Sequence, residues 1–433
     1  MNLLDINDRA GEYPNSYYAA SAKPLDKFPP LQVSESCDVC VVGAGYTGLS
    51  TALHLADRGY DVILLDAQRV GFGASGRNGG QVGSGQRVEQ DDLEKTVGRA
   101  HARQLWDMGE ESKSTVRGLI AKHEIDCAYK SGVLHAELKR KHLHHTFDYV
   151  EKLRTDYGYD QIEFMEEVSL RSALGTDAYC GGSMDWGAGH LHPLNFALGL
   201  ARACLAAGVR IFEGTRVTEI KRGEPAEVIS VSGRVKAKFV ALGANGYLGN
   251  LEPQVASRVM PINNFIVATE PLGEARARDL IRDDIAVADR KFVVNYFRMS
   301  EDNRLLFGGG ESYGYKFPDN LIEKARKPML EIFPQLRDTR IDYAWGGTLG
   351  ITMNRMPDFR RLSPNILSAS GYSGHGVAMA TLAGKLMAEA ISGTAERFDI
   401  MANVPTKRFP GGVTMRLPLL ILAMIWFTLR DRL

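Results

Sequence analysis

The sequence has few cysteines, no excess of either charge and no apolar run long enough to cross a membrane. Five cysteines in 433 residues, an odd number without regular spacing, do not make the disulfide framework of a small secreted protein. Basic and acidic residues number 52 each, so the net charge of zero favours neither nucleic acid nor an anionic membrane as a partner. The polar N-terminus lacks a signal-peptide pattern. We therefore expect a cytoplasmic protein without a nucleic-acid partner.

The apolar segment near the C-terminus, Leu417 to Leu429, is bounded by Arg416 and Arg430. It is shorter than the ~20 residues that a spanning helix needs. We expect a terminal helix that docks on the protein. An interfacial membrane anchor or a partner-binding helix is the alternative.

Two patterns resemble metal or redox sites, and both have a simpler interpretation. Cys37 and Cys40 form a CxxC, but they lie in an extended run, where three strand steps separate the Cα atoms by roughly 10 Å, too far for a disulfide. The histidines His142, His144 and His145 have basic neighbours and no carboxylate that completes a ligand set. We expect no metal site and assign these histidines to solvated surface.

A β-α-β unit begins at Asp38. The predicted strand runs to Val42, a glycine turn follows, a helix passes through Thr51 to Arg58, and a second strand covers Val62 to Leu65. Both strands are continuous apolar runs, which is typical of buried parallel strands.

The glycine turn reads Gly43-Ala44-Gly45-Tyr46-Thr47-Gly48 and matches G-x-G-x-x-G. Gly43 permits the tight turn, Gly45 lets a pyrophosphate approach the backbone, and Gly48 lets helix and strand pack closely. The helix N-terminus then faces the phosphates with free N–H groups. Asp66 ends the next strand, where an acid accepts hydrogen bonds from ribose hydroxyls. The unit therefore predicts dinucleotide binding.

The loop Gly73 to Val82 follows and is dense in glycine. Such density is costly in folding entropy and indicates a backbone pressed against a large flat ligand. A merely flexible loop is the alternative.

At these residues the sequence resembles the D-amino-acid-oxidase superfamily of FAD enzymes. Three blocks carry the resemblance: Gly43 to Asp66, Gly73 to Val82, and Gly371-Tyr372-Ser373-Gly374-His375-Gly376. Within that superfamily it is most similar to the γ-glutamylputrescine oxidases, through Ala241 to Tyr247, Arg304 to Gly310 and the last residues, Leu429 to Leu433.

The resemblance implies an α/β plus α+β fold, with a discontinuous, doubly wound, Rossmann-like FAD-binding domain and a sheet-based substrate domain. The expected ranges are 1–36 for an N-terminal arm, 37–90 with 190–260 and 341–400 for the FAD-binding domain, 91–189 with 261–340 for the substrate domain, and 401–433 for a C-terminal tail and apolar helix.

The resemblance also implies which residues contact FAD. Val217 matches a strand position that touches adenine, and the segment from Gly374 starts a helix aimed at the pyrimidine ring of the flavin. The expected cofactor-binding residues are Gly43, Gly45, Tyr46, Thr47, Gly48, Asp66, Ala67, Gly73, Ala74, Ser75, Arg77, Asn78, Gly79, Gly80, Gln81, Val217, Gly243, Gly346, Gly374, His375, Gly376 and Val377.

The implied reaction removes a hydride from the carbon next to a neutral amine and delivers it to FAD. The imine then hydrolyses and oxygen reoxidises the flavin, giving hydrogen peroxide. Dehydrogenation with a quinone as acceptor, or flavin binding without turnover, are the alternatives. Candidate catalytic residues are His375, Arg298 and Glu270, although strand alternation leaves the direction of the last two open. His375 is either a base or charge near the flavin or a helix-start residue packed on its ring.

Two departures from the sarcosine-oxidase pattern affect the expected substrate. Ala378 stands where those enzymes carry a lysine that pairs with the substrate carboxylate, and Ile351 stands where they attach the flavin to a cysteine. The sequence therefore predicts non-covalent FAD and an amine longer than sarcosine. Trp345 either lies against the isoalloxazine or is a core aromatic.

Overall fold

The structure, a computed structural model, describes residues 3–291, 293–312, 314–412, 415, 418–419 and 421–422, without the side chain of Glu311. Its strands are β1 Ser34–Val42, β2 Val62–Leu65, β3 Gln81–Val82, β4 Lys130–Glu137, β5 Ile162–Glu166, β6 Gly181–His190, β7 Arg210–Phe212, β8 Val217–Lys221, β9 Ala226–Ser230, β10 Arg234–Leu242, β11 Met260–Thr269, β12 Ala286–Asp289, β13 Tyr296–Met299, β14 Leu305–Ser312, β15 Ile341–Ile351, β16 Asp358–Ser363 and β17 Ile366–Ser370. Its α-helices are α1 Tyr17–Ser21, α2 Tyr46–Ala56, α3 Gln90–Val97, α4 Arg99–Lys122, α5 Leu143–Tyr157, α6 Glu167–Ala173, α7 Pro193–Ala206, α8 Pro253–Ala256, α9 Glu274–Leu280, α10 Leu321–Ile332, α11 Gly376–Ile391 and α12 Glu396–Ala402.

The first sheet is built on five parallel strands in the order β17-β10-β1-β2-β7. Strand β16 pairs antiparallel with β17 at one edge, and β9 pairs antiparallel with β10 and with β8. Because parallel strands align their carboxyl ends, the turn after β1 and the end of β2 meet at one edge of this sheet, which is where such folds bind ligands.

The two faces of the first sheet are covered differently. Val39, Val41 and Leu64 face one core, which also contains the apolar sides of α2, α7 and α11. Cys40 and Ile63 point to the opposite face and pack with residues of β9 and β10. The alternation along short apolar strands therefore buries both faces, as the continuous apolar runs predicted.

The second sheet has the order β15-β11-β14-β13-β12-β4-β6-β3, with β5 paired to β6. Its pairs are antiparallel except β12 with β4. Phe265, Phe297 and Phe307 fill a core between one face and the helices α9 and α10. The other face turns toward the first sheet. This architecture confirms the predicted fold class.

Several elements differ from the sequence-based expectation. No sequence pattern marked β4, β5 or β6 individually as strands, and β6 contains four glycines. Strand β15 belongs to the second sheet although its range was predicted with the FAD-binding domain. The domain ranges themselves stay a prediction.

The apolar segment Leu417 to Leu429 lies almost wholly outside the described residues. Among the residues that the structure describes, no helix has both the length and the apolar character needed to cross a membrane.

Candidate active site

The turn between β1 and α2 has the geometry that its glycines predicted. Gly43 adopts a left-handed backbone with φ of +103°, which side chains disfavour. A Cβ on Gly45 would lie 2.8 Å from the Ser75 hydroxyl, and a Cβ on Gly48 would overlap the carbonyl oxygen of Gly43. The first two glycines thus open the turn toward the cavity, while Gly48 allows the helix to pack directly on the strand.

Asp66 follows β2 at the same edge of the sheet. Its carboxylate accepts 2.7 Å hydrogen bonds from the backbone amides of Ala44 and Gln68, which fix the side chain beside the glycine turn. Burial raises the pKa of Asp66 to about 6, although the two amides oppose this shift. A ribose hydroxyl would supply a further donor to this carboxylate.

Arg77 anchors the glycine-dense loop after the turn. Its guanidinium donates to the carbonyls of Phe72, at 2.6 Å, and Gly346, at 3.2 Å, and pairs with Asp8 at 2.8 Å. Its Nη2 is buried and has no hydrogen-bond partner among the described residues. Buried polar groups without partners are rare in proteins and indicate a missing ligand or water. Arg77 therefore fits an anionic or carbonyl-rich group in the adjoining cavity.

The loop is ordered by its own side chains. Asn78 donates to the carbonyls of Ala74 and Ser75 and accepts from the amide of Gly80, at 2.7 to 3.1 Å. Ser75 also accepts from the amide of Tyr46 at the start of α2. The loop is therefore a fixed wall and not the flexible alternative.

A single cavity of about 1300 Å³ connects these parts. Small-molecule sites usually measure ~300–1,000 Å³, so this one has room for a dinucleotide and a second small molecule. The expected cofactor residues that line it are Gly43, Gly45, Tyr46, Thr47, Asp66, Ala67, Gly73, Ala74, Ser75, Arg77, Asn78, Gly79, Gln81, Val217, Gly243, Gly374, His375, Gly376 and Val377.

The N-terminal arm closes one end of the cavity. Leu3 and Leu4 line it, and Asp5 pairs with Arg216 at 2.7 Å, next to the predicted adenine position. Asp8 reaches the same loop arginine described above. The predicted N-terminal arm, 1–36, therefore contributes residues to the wall of this cavity.

Helix α11 begins at the cavity. Gly374 has φ of +91° and lets the chain turn into the helix, whose first N–H groups and positive dipole end lie at the cavity wall. Such a terminus can stabilise negative charge on a bound ring. Ala378 is buried in the core and does not line the cavity, whereas Val377 and Ala380 do. The Ala378 side chain itself therefore contributes no surface to the cavity.

His375, at the N-cap of α11, is held in one neutral form. Its Nε2 lies 3.1 Å from the carbonyl oxygen of Gly85, which can only accept, so Nε2 carries the proton. Burial, and then the charge of Arg87, lower the pKa of His375 to about 4. At neutral pH the ring is therefore uncharged, with Nδ1 as an acceptor.

The remainder of the cavity is lined by residues that the sequence did not single out. Arg87 follows β3, His135 lies on β4, and Asp185 lies on β6. Arg290 and Arg355 also line the cavity. No short motif joins these positions, since the second sheet brings them together from distant parts of the chain.

Three of the expected cofactor-binding residues and two of the expected catalytic residues lie outside the cavity lining. The three are Gly48, Gly80 and Gly346. Gly48 packs against the strand, the amide of Gly80 donates within its loop, and the carbonyl of Gly346 accepts from Arg77. These three support the cofactor residues indirectly.

The structure does not bring Arg298 and Glu270 into the cavity. The Arg298 guanidinium is buried and donates to the carbonyls of Gly79, Leu191 and its own neighbour Met299. Glu270 accepts from the backbone of Arg340 and pairs with its side chain. The predicted substrate contacts of Arg298 and Glu270 are therefore corrected. Arg298 on β13 faces loop carbonyls, and Glu270, one residue after β11, faces Arg340.

Three further residues that the sequence analysis discussed are Trp345, His142 and His145. Trp345 is buried, and its Nε1 donates a 3.1 Å hydrogen bond to the carbonyl of Arg77, so it supports the loop from the core side. His142 and His145 are exposed at the cavity rim, and His145 lies 3.2 Å from Glu89. In the described part of the chain, no group of three or more His, Cys, Asp or Glu side chains is arranged to hold a metal ion.

A family model described as FAD dependent oxidoreductase matches residues 38–390. The chain therefore belongs to that family, and FAD is its cofactor, as the sequence predicted. The glycine cradle, the buried Arg77 Nη2 and Asp66 all fit this group.

Individual relatives agree with the family. Gamma-glutamylputrescine oxidoreductase of Escherichia coli (strain K12) is 44% identical over 423 residues, which are 98% of this chain and 99% of the relative. A probable oxidoreductase of Rhizobium meliloti (strain 1021), OrdL, is 42% identical over 422 residues, 96% of this chain and 97% of the relative. A crystal structure of glycine oxidase from Geobacillus kaustophilus has a TM-score of 0.71 at 18% identity, covering 83% of this chain and 95% of that one. The last likeness concerns the fold alone.

Proposed function

We propose that this protein oxidises an extended amine, with γ-glutamylputrescine as the best candidate, and uses oxygen to give hydrogen peroxide. The observation that carries this proposal is the single cavity, which joins a dinucleotide-binding end to a second compartment lined by Arg87, His135 and Asp185. The relative from Escherichia coli adds the class of substrate.

When bound, FAD supplies the acceptor for the hydride from the amine-bearing carbon. The loop around Arg77 and the start of α11 would hold it, with Gly79 and Gln81 at its edge. The amine loses two electrons and two protons to become an imine, and water converts the imine to an aldehyde and ammonia. The chain has to position that carbon and exclude competing reactions.

The second compartment combines charges of both signs with neutral imidazoles. Arg87, Arg290 and Arg355 line the same cavity as Asp185 and Glu89, and Arg290 is paired with Glu89. His375 and His135 add no positive charge at neutral pH, because burial is the first cause that lowers the pKa of each. The neutral Nδ1 of His375 is suited to accept a hydrogen bond from an amine N–H, and its low pKa makes it a positioning group more than a proton acceptor.

The test is flavin reduction under nitrogen with a panel of amines, followed by readmission of air. Bleaching by γ-glutamylputrescine, much faster than by sarcosine, glycine or D-alanine, is expected, with hydrogen peroxide formed in proportion when air returns. If only an artificial quinone, and not air, reoxidises the bleached flavin, the electron acceptor is a quinone and not oxygen. A flavin that no amine bleaches would contradict the proposed reaction.

A further inference from the structure

Arg87 places an unusual charge in the cavity. Its side chain is exposed where it lines the cavity, while desolvation by the surrounding protein lowers its pKa to about 10, with further lowering by Arg355 and Arg290. It makes no hydrogen bond or ion pair with any residue that the structure describes. A guanidinium that lines the cavity without a described partner keeps its donors available for an anion.

The neighbouring cations are already engaged. Arg290 pairs with Glu89 and lies 3.3 Å from a carboxylate oxygen of Glu137. Arg77 and Arg216 pair with carboxylates of the N-terminal arm. Arg87 differs from these three because its five N–H donors have no described acceptor.

Asp185 supplies the opposite charge in the same cavity. Its Oδ1 accepts from the hydroxyl of Tyr159 at 2.5 Å and from the amides of Gly187 and Ala188 at 3.0 and 3.1 Å. Its Oδ2 accepts from Ser84 at 2.5 Å and keeps a second acceptor position. The carboxylate is therefore rigid and oriented before any ligand arrives.

A buried lysine reinforces this arrangement. The Lys113 ammonium donates to the hydroxyls of Ser84, at 2.6 Å, and Tyr159, at 2.9 Å, and pairs with Glu110 at 2.9 Å. Because each hydroxyl accepts from Lys113, its own proton is directed to Asp185. The network thus presents a fixed acceptor to the cavity.

Arg87 and Asp185 lie near a common residue, His135. The charge of Asp185 raises the pKa of His135, whereas burial, the larger effect, and Arg87 lower it. The two opposite charges therefore act within one compartment, with an uncharged imidazole beside them.

We propose that Arg87 and Asp185 bind the zwitterionic amino-acid end of an extended amine, Arg87 through its carboxylate and Asp185 through its ammonium. This inference rests on the function proposed above and names the part of the substrate that decides specificity. A γ-glutamyl amide is formed through the side-chain carboxyl, so it keeps both charges of the free amino acid. Charge-assisted hydrogen bonds at both ends would distinguish it from a simple diamine.

The test compares three substrates on the unmodified protein: γ-glutamylputrescine, its α-carboxamide, which lacks the negative charge, and N-glutarylputrescine, which lacks the ammonium. KM should rise about ten- to hundredfold for each truncated analogue, because one charge-assisted hydrogen bond is lost, while kcat changes less than about threefold. Equal KM values for all three would overturn the inference and leave the proposed function intact. No flavin reduction by any of them would overturn both.

Variants assign each charge. Arg87→Gln should raise KM for γ-glutamylputrescine and the glutaryl compound but not for the carboxamide, and Arg87→Lys should restore part of the loss. Asp185→Asn should raise KM for γ-glutamylputrescine and the carboxamide but not for the glutaryl compound. Exposed Arg278→Gln is the matched control and should change none of them.

Other outcomes refute the assignment. If an Arg87 variant raises KM equally for all three substrates, Arg87 does not bind the carboxylate. An Asp185 variant that lowers kcat and shifts the pH profile with every amine acts on the reacting nitrogen instead. FAD content and thermal unfolding are measured for each variant, and if Asp185→Asn does not fold, the three substrates on the unmodified protein and the Arg87 variants decide the question.

Discussion

We predict that Asp66 couples FAD affinity to pH. Its carboxylate is buried with a pKa of about 6, and a ribose hydroxyl that donates to it stabilises the ionised form. FAD binding below pH 6 must therefore release a proton, so affinity should fall about tenfold per pH unit below 6. The total is limited to the strength of one hydrogen bond to a charged acceptor, ~1.5–3 kcal/mol, or about ten- to hundredfold.

In the protein without FAD, protonation of Asp66 has the opposite effect, because it favours the folded state. The pKa of Asp66 is raised above its ordinary value of 3.8, so its contribution to stability is complete below pH 3.8 and is lost as the pH rises through 6. The apo-protein thus gains from protonation of the carboxyl that the complex needs ionised. Binding and folding respond to pH in opposite directions at this one group.

In the assay, apo-protein is titrated with FAD between pH 5 and 8, and binding is monitored by the quenching of flavin fluorescence. The unmodified protein and Asp66→Asn are compared. The variant should bind about ten- to hundredfold more weakly at pH 8 and should show little change down to pH 5, where the difference between the two proteins should be about tenfold smaller. Asp177→Asn, on an exposed side chain, is the control. A flat profile for the unmodified protein, or the same slope in Asp66→Asn, would refute the reasoning.

Two further predictions concern how FAD is held. Asp8→Asn breaks the ion pair with Arg77, whose side chain is 1% exposed, and should speed FAD release about tenfold on dilution, while the 88% exposed Arg9→Gln should not. Ile351 occupies the position of the cysteine that attaches flavin in similar enzymes, so acid precipitation should leave all the yellow colour in solution. Colour retained in the pellet would show a covalent bond.

The cofactor half of the site could be predicted because its information is local. Gly43, Gly45, Gly48 and Asp66 lie within one β-α-β unit, where strand, turn and helix fix their relative positions. The loop 73–82 follows directly. No distant pairing has to be known to place these residues at one sheet edge.

The substrate half depends on long-range pairing. Arg87, His135 and Asp185 come from a loop and from two strands whose register is set by contacts across about fifty residues of chain. Strand β6 gives little signal, because its glycines replace the apolar alternation that marks a strand. The direction of Arg298 also depends on long-range packing. Strand alternation allows its side chain to point to either face of the sheet, and the structure shows that it donates to backbone carbonyls of two loops.

His375 separates what a motif states from what it leaves undetermined. The sequence placed this residue at the start of a helix beside the flavin site, and the structure puts it on the cavity wall. Its chemistry depends on two neighbours that no motif contains, the carbonyl of Gly85, which fixes the proton on Nε2, and Arg87, which joins burial in lowering the pKa to about 4. The sequence left open whether His375 is a base or charge near the flavin or a packed helix-start residue, and these contacts favour a neutral hydrogen-bonding group. The charge that governs substrate choice lies instead on Arg87 and Asp185.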